Sequence, residues 1–139
     1  METTMAFLRS PLLRVALGVF VLLHLLYVGQ SLRAFEMKPG MTWPDGAWVS
    51  SGWLSSDATR MAATVLLIVS AVGFAASSAG IFFSAGWWRT AVVAAAAFSS
   101  ASYALMWNGS ARNLDGQGLV GIAINAAIAL VALLGPAGP

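Results

Sequence analysis

The chain has no cysteine and a single histidine, His24, among its 139 residues. Without cysteine there are no disulfides, no thiol redox chemistry and no iron–sulfur ligation. One histidine is too few to hold a haem between two imidazoles or to bind zinc by itself. We therefore expect no metal site.

Charge is also scarce. Only 9% of the residues are charged and 59% are hydrophobic, whereas about 25% of the residues in soluble domains are charged. The net charge of +2 comes without a basic cluster, so nucleic acid is not an expected partner. A soluble chain of this length buries too little surface to hide so many apolar side chains. The composition predicts an integral membrane protein whose main partner is the lipid bilayer.

The acidic residues lie outside the long apolar stretches. This excludes a carboxylate proton relay inside the membrane and a Ser-His-Asp triad built around His24. There is no glycine-rich phosphate loop either. The sequence therefore predicts no catalytic residue and favours a protein that is not an enzyme.

Four apolar stretches are each close to the roughly 20 residues that a helix needs to cross a bilayer. The predicted helices span residues 12–32, 58–83, 88–107 and 116–134. Ser56 or Asp57 is the expected cap of the second helix. Because the later connections are short, sequential helices should pack as antiparallel neighbours. The expected fold is all-α, a single transmembrane four-helix bundle over residues 1–139.

The first helix has a second interpretation, a secretory signal peptide cleaved after Gly29-Gln30-Ser31. His24 and Tyr27 interrupt the apolar core that such a peptide needs, so we favour a retained helix. The orientation depends on few charges. Arg9 and Arg14 precede the first apolar stretch, which favours cytoplasmic termini in a multi-pass protein of the cell (inner) membrane.

The first loop is long and rich in tryptophan. Trp43, Trp48 and Trp53 recur every five residues, a spacing that matches neither a helix face nor a strand face. The favoured interpretation places the indoles at the level of the lipid headgroups. The alternative is a lid over the mouth of the bundle.

Small residues follow one face of the second helix and of the fourth helix. Such stripes mark helix–helix contacts in membranes, because they allow two backbones to approach closely. The predicted packing residues are Ser70, Gly73, Ser77, Gly80, Gly118 and Gly121.

Two polar residues, His24 and Asn125, fall in the middle of predicted spans. An unpaired imidazole or amide in hydrocarbon is costly, so both should point into the bundle. The expected partners are Tyr27, Ser70, Ser99 and Tyr103. His24, Tyr27, Ser99, Tyr103 and Asn125 are also the candidate contacts of a hydrophobic ligand. For His24 both roles stay open, whereas Asn125 is more typical of a bond between helices.

Residues 116–125, GQGLVGIAIN, resemble the last helix of the DoxX-like family of small four-helix bacterial membrane proteins. The four-span plan and the long first loop are also similar to that family. The resemblance implies a four-helix membrane fold. Because some members are associated with quinone-linked oxidoreductase complexes, it also implies a place in such a system.

Three functions follow from these patterns. The leading one is a non-catalytic or accessory subunit that binds partner membrane subunits or a second copy of itself. The second is a binder of a quinone or lipid beneath the tryptophan loop. The third is a small transporter or channel, although the lack of intramembrane acids argues against cation coupling.

The topology can be tested by cysteine labelling, since the chain has no cysteine of its own. A cysteine at residue 5 and one in the 43–53 loop should react from opposite sides of the membrane. Labelling from the same side would contradict both the orientation and the intact first helix.

Overall fold

The computed structural model describes residues 11–83, 85–112 and 114–134, and this part of the chain contains no strand. Its four α-helices are α1 (Pro11–Ser31), α2 (Ser56–Phe82), α3 (Trp88–Met106) and α4 (Leu119–Leu134). Two short 3-10 helices, Trp48–Ser50 and Leu114–Gln117, lie in the connections. The all-α prediction is confirmed, and each predicted helix end lies within three residues of the observed one. Both chain termini lie outside the described residues.

The N-cap of α2 lies one residue before the two caps that the sequence favoured. Ser55, rather than Ser56 or Asp57, is its N-cap, and the Ser55 hydroxyl accepts a hydrogen bond from the Ala58 amide at 3.1 Å. Asp57 lies in the first turn instead. There its carboxylate faces the positive end of the helix dipole, which is a favourable position for an anion.

The helix α4 begins at Leu119, three residues later than predicted. Gly118 has a φ of +92°, in the left-handed region, which ends the preceding 3-10 turn and separates it from the helix. Glycine adopts this conformation without a steric penalty. Gly118 is therefore a turn residue before α4 rather than a member of its stripe.

Each helix packs mainly on the next one in the sequence. The loop between α1 and α2 meets the connection between α3 and α4 at one end of the bundle, where the Trp48 amide donates to the Trp107 carbonyl at 2.7 Å. Sequential helices are therefore antiparallel. The main core lies around Phe74 and includes Leu17, Phe20, Ile81, Val92, Ala95, Ala96, Ile128 and Ala132.

Glycines of the predicted stripes lie at close approaches. A Cβ added to Gly73 would lie 3.2 Å from the Ala95 Cβ, so α2 and α3 nearly touch there. A Cβ on Gly80 would lie 2.8 Å from the Trp87 ring, at the turn into α3. Because glycine has no side chain, neighbouring residues can occupy the space at both positions.

The serines of the α2 stripe are buried, but they do not bridge helices. The Ser70 hydroxyl donates to the Leu66 carbonyl at 2.9 Å, and the Ser77 hydroxyl donates to the Gly73 carbonyl at 2.8 Å. Each bond stays within α2 and removes a polar group from the interface. These serines therefore act as small residues.

The outer surface of the bundle is apolar, and the charges lie at its ends. Leu22, Met61 and Leu133 are examples of large side chains that are more than half exposed on α1, α2 and α4. Among the described residues, α2 is the one helix whose length and composition both suit a membrane span, with 27 residues and a mean hydropathy of 2.2. The charged residues whose side chains the structure describes are Arg33, Glu36, Lys38, Asp45, Asp57, Arg60, Arg89 and Arg112.

Gly73→Leu should destabilise the bundle by about 1–3 kcal/mol, because the larger side chain would force α2 away from α3. Gly18→Leu is the matched control, since nothing lies within 4 Å of a Cβ at that position. Thermal unfolding in detergent measures both changes. Equal unfolding temperatures for the two variants would contradict the close contact.

Candidate functional site

His24 lies inside the bundle and is only 1% exposed. Its Nδ1 is 2.7 Å from the Phe20 carbonyl of the preceding turn, and its Nε2 is 2.8 Å from the Ser99 Oγ of α3. A carbonyl oxygen can only accept, so Nδ1 carries the proton. In the neutral imidazole Nε2 then accepts from the Ser99 hydroxyl. Both ring nitrogens are therefore occupied within the chain.

A column of aromatic rings runs from the core to the first loop. The distances between ring centroids are 5.2 Å for Phe20–Phe74 and for His24–Phe74, 5.7 Å for His24–Tyr103, 5.4 Å for Tyr27–Tyr103 and 5.2 Å for Tyr27–Trp43. Separations of about 4.5–7 Å are those of favourable ring pairs. The structure thus brings four predicted ligand contacts, His24, Tyr27, Ser99 and Tyr103, into one cluster.

The Tyr103 ring lies against two glycines at the start of α4. A Cβ on Gly118 would overlap this ring, and a Cβ on Gly121 would lie 3.0 Å from its Cε2 atom. The two positions predicted as helix-packing glycines therefore make room for an aromatic side chain.

Asn125 is 1% exposed but pairs with a residue that the sequence analysis did not consider. Its Nδ2 donates to the Ser100 hydroxyl at 3.1 Å, whereas Ser99 bonds to His24. Consecutive helical residues point about 100° apart, so Ser99 faces α1 while Ser100 faces α4. The Asn125 Oδ1 has no partner among the described residues. Asn125 thus joins α3 to α4, apart from the His24–Ser99 pair.

The three loop tryptophans occupy different environments. Trp43 is 5% exposed, while Trp48 and Trp53 are 54% and 71% exposed. The Trp43 ring contacts Tyr27 edge-on and stacks over Tyr103 at 6.5 Å. Trp43 therefore covers the aromatic column as a lid residue would, whereas Trp53 lies on the surface. The loop thus combines one buried tryptophan with two exposed ones.

Two of these tryptophans cap the end of α3. The last carbonyls of a helix have no partner within it. The Trp48 Nε1 donates to the Ala104 carbonyl at 2.7 Å, and the Trp43 Nε1 donates to the Met106 carbonyl at 3.1 Å. These two bonds hold the first loop against the C-terminal end of α3.

Two buried glutamines, which the sequence analysis did not single out, hold the loops. The Gln30 Oε1 accepts from the Met37 amide at 2.8 Å, and its Nε2 lies 3.4 Å from the Trp43 carbonyl. The Gln117 Oε1 accepts from the Asn108 amide at 3.0 Å. In the sequence, both glutamines lie where a loop joins a helix, next to an apolar run, and this position is the feature that could have identified them.

Charged residues fix the base of the first loop. Asp45 forms an ion pair with Arg33 and lies 4.0 Å from Arg60, which also pairs with Asp57 at 2.8 Å. Arg33 donates in addition to the Met41 carbonyl at 3.0 Å. These bonds hold the segment that carries Trp43 over the column.

An apolar groove of about 300 Å³ opens beside this cluster. Its lining includes Tyr103, which is one of the predicted ligand contacts, and Trp48, which is one of the three loop tryptophans. The other lining residues include Trp107, Gln117, Leu119 and Ile122.

The His24–Ser99 bond can be measured by a double-mutant cycle in detergent. His24→Leu combined with Ser99→Ala should show a coupling energy of about 0.5–2 kcal/mol. Ser102→Ala is the control for Ser99→Ala, because the Ser102 hydroxyl donates to the Phe98 carbonyl of its own helix. His24→Gln should keep part of the stability. Loss of a retained ligand in both His24 variants, with stability unchanged, would instead assign His24 to a binding site.

The cluster is thus built from hydrogen bonds and ring contacts made within the chain, with a groove at its edge. Comparisons with protein-family models, with curated proteins and with solved structures each found no match.

Proposed function

We propose that this chain is a non-catalytic membrane protein whose four helices span the bilayer, and that it serves as an accessory subunit beside other membrane proteins. The observation that carries the proposal is the apolar outer surface, with Leu22, Met61 and Leu133 exposed on three different helices. In water each exposed apolar Å² costs about 25 cal/mol relative to burial. In lipid this cost disappears.

The helix lengths support spanning. With a rise of 1.5 Å per residue, the 27 residues of α2 extend about 40 Å and the 19 residues of α3 about 28 Å. The hydrocarbon core of a bilayer is about 30 Å thick. The 16 residues of α4 reach about 24 Å, and the 3-10 turn Leu114–Gln117 lies before its first turn.

The interior contacts favour a structural role over catalysis. A catalytic acid, base or nucleophile must offer an atom to the substrate. Both His24 nitrogens are bonded within the chain, and Ser99 and Tyr103 are buried. The first helix contributes His24 and Gln30 to this interior, which favours a retained helix over a cleaved signal peptide.

The proposed location is the cell (inner) membrane, with both termini in the cytoplasm. This places the first loop, with Arg33 and Lys38, on the outer side, and Arg89 on the cytoplasmic side. Of the two arginines that favour this orientation in the sequence, Arg9 lies outside the described residues and Arg14 lies in the first turn of α1. A place within a DoxX-like oxidoreductase system belongs to the second candidate function, the binding of a quinone or a lipid.

A second candidate function is the binding of a hydrophobic small molecule, a quinone or a lipid. The groove beside Tyr103 favours it, because ligand sites are concave, mostly apolar and about 300–1,000 Å³ in volume. Organic extraction of the purified protein would identify such a molecule.

Membrane integration is tested by washing membranes with alkaline carbonate, which releases peripheral proteins. We expect the chain to stay in the pellet; release into the wash would overturn the membrane proposal. For the accessory role, a photo-crosslinking residue at Leu22 or Leu133 should give a discrete protein adduct, whereas the same residue at the buried Leu17 should give none. Adducts with lipid alone, together with intrinsic turnover of a substrate, would contradict an accessory subunit.

A further inference from the structure

Two neighbouring cavities share one residue at the end of the bundle where α3 ends and α4 begins. The apolar groove of about 300 Å³ and a polar pocket of about 230 Å³ are both lined by Gln117. Gln117 is buried, and its side chain is fixed by the Asn108 amide and the Arg112 carbonyl. The two cavities therefore adjoin across a rigid residue.

The polar pocket has the chemistry of an anion site. Lys38 and Arg112 line it, and none of its described lining residues is acidic. None of the ion pairs among the described residues involves Arg112. Arginine offers a planar set of donors that matches a phosphate group.

Two uncharged side chains add donors to this pocket. The Asn108 Oδ1 accepts from the Ser110 amide at 2.9 Å, which leaves the Nδ2 hydrogens for a ligand. The Ser110 Oγ accepts from the Arg112 amide at 3.2 Å, so its own hydrogen is directed elsewhere. Amide and hydroxyl donors beside a guanidinium favour an oxyanion over a neutral guest.

The adjoining groove has the opposite character. Trp107, Leu119 and Ile122 give it apolar walls, and the half-exposed Trp48 indole forms its rim. Tryptophan at the edge of an apolar surface is typical of the depth at which lipid headgroups meet acyl chains. An occupant that fills both cavities must be anionic at one end and apolar at the other.

We propose that the two cavities together bind one anionic phospholipid, with its phosphate in the polar pocket and one acyl chain in the apolar groove. The inference rests on the proposed membrane location. Basic pockets at the ends of membrane helices bind anionic headgroups by the same electrostatics. A zwitterionic lipid fits less well, because no described residue of the pocket supplies a carboxylate for its cationic group.

The test uses the full chain, purified in mild detergent and exchanged into mixed micelles of phosphatidylglycerol and phosphatidylcholine at equal amounts. Native mass spectrometry counts the lipids that stay bound. We expect phosphatidylglycerol to be retained over phosphatidylcholine, and Arg112→Gln to reduce that preference about fivefold, the effect of one cation near a lipid phosphate. Arg89→Gln is the charge control, because Arg89 lies at the other end of the bundle and stacks on Trp88.

The groove is tested by Leu119→Trp, which fills it, against Val120→Trp, which places the same bulk on a neighbouring exposed position. Leu119→Trp should lose the bound lipid and Val120→Trp should keep it, with unfolding temperatures reporting that both variants fold. Equal retention of the two lipids, or equal behaviour of Arg112→Gln and Arg89→Gln, would overturn the proposal.

A further measurement distinguishes a lipid from a free anion as the ligand of the polar pocket. If inorganic phosphate alone raises the unfolding temperature as much as phosphatidylglycerol does, the pocket is a phosphate site and the lipid assignment is wrong. Carbonate washing of membranes reports separately on the proposed function. A chain that stays in the membrane pellet but retains no lipid would overturn this inference alone.

Discussion

The seating of the Tyr103 ring is the contact on which most of the described structure depends. This ring lies 5.7 Å from the His24 ring and 5.4 Å from the Tyr27 ring of α1, and Trp43 covers it from the first loop. On its remaining side the ring packs against Gly118 and Gly121, where a Cβ atom would occupy the space that the ring fills. One side chain of α3 thus sets the position of both neighbouring connections and of α1.

The second constraint is the satisfaction of buried polar groups. Most of the buried polar side chains lie in the helices, and most are bonded across short distances within the chain, as His24 is to Phe20 and Ser99. The same requirement shapes the loops, where Gln30 and the indole of Trp43 bond backbone groups that have no helical partner. Because an unpaired polar group is expensive away from water, these bonds restrict the loop to one path over the bundle end.

The proposed functions follow from the contrast between the interior and the surface. Most polar side chains of the interior bond to other groups of the same chain, which suits a scaffold better than a reaction centre. The surface is apolar along the helices, and beside Gln117 it changes from an apolar groove to a pocket lined by Arg112. A lipid-facing subunit with a headgroup site at one end accounts for both features.

The sequence by itself determined the all-α class, the number of long helices and their ends to within three residues, because apolar run length and turn residues are local properties. It also singled out His24 and Asn125 as polar residues that should point inward, with Ser99 and Tyr103 among their expected partners. Only the tertiary structure decided that Ser99 pairs with His24 while Ser100 pairs with Asn125. That choice depends on how each helix is rotated about its axis, and rotation is set by packing on neighbours. The three tryptophans show the same limit, because burial of Trp43 and exposure of Trp53 follow from the path of the loop over α3, which their spacing in the sequence does not encode.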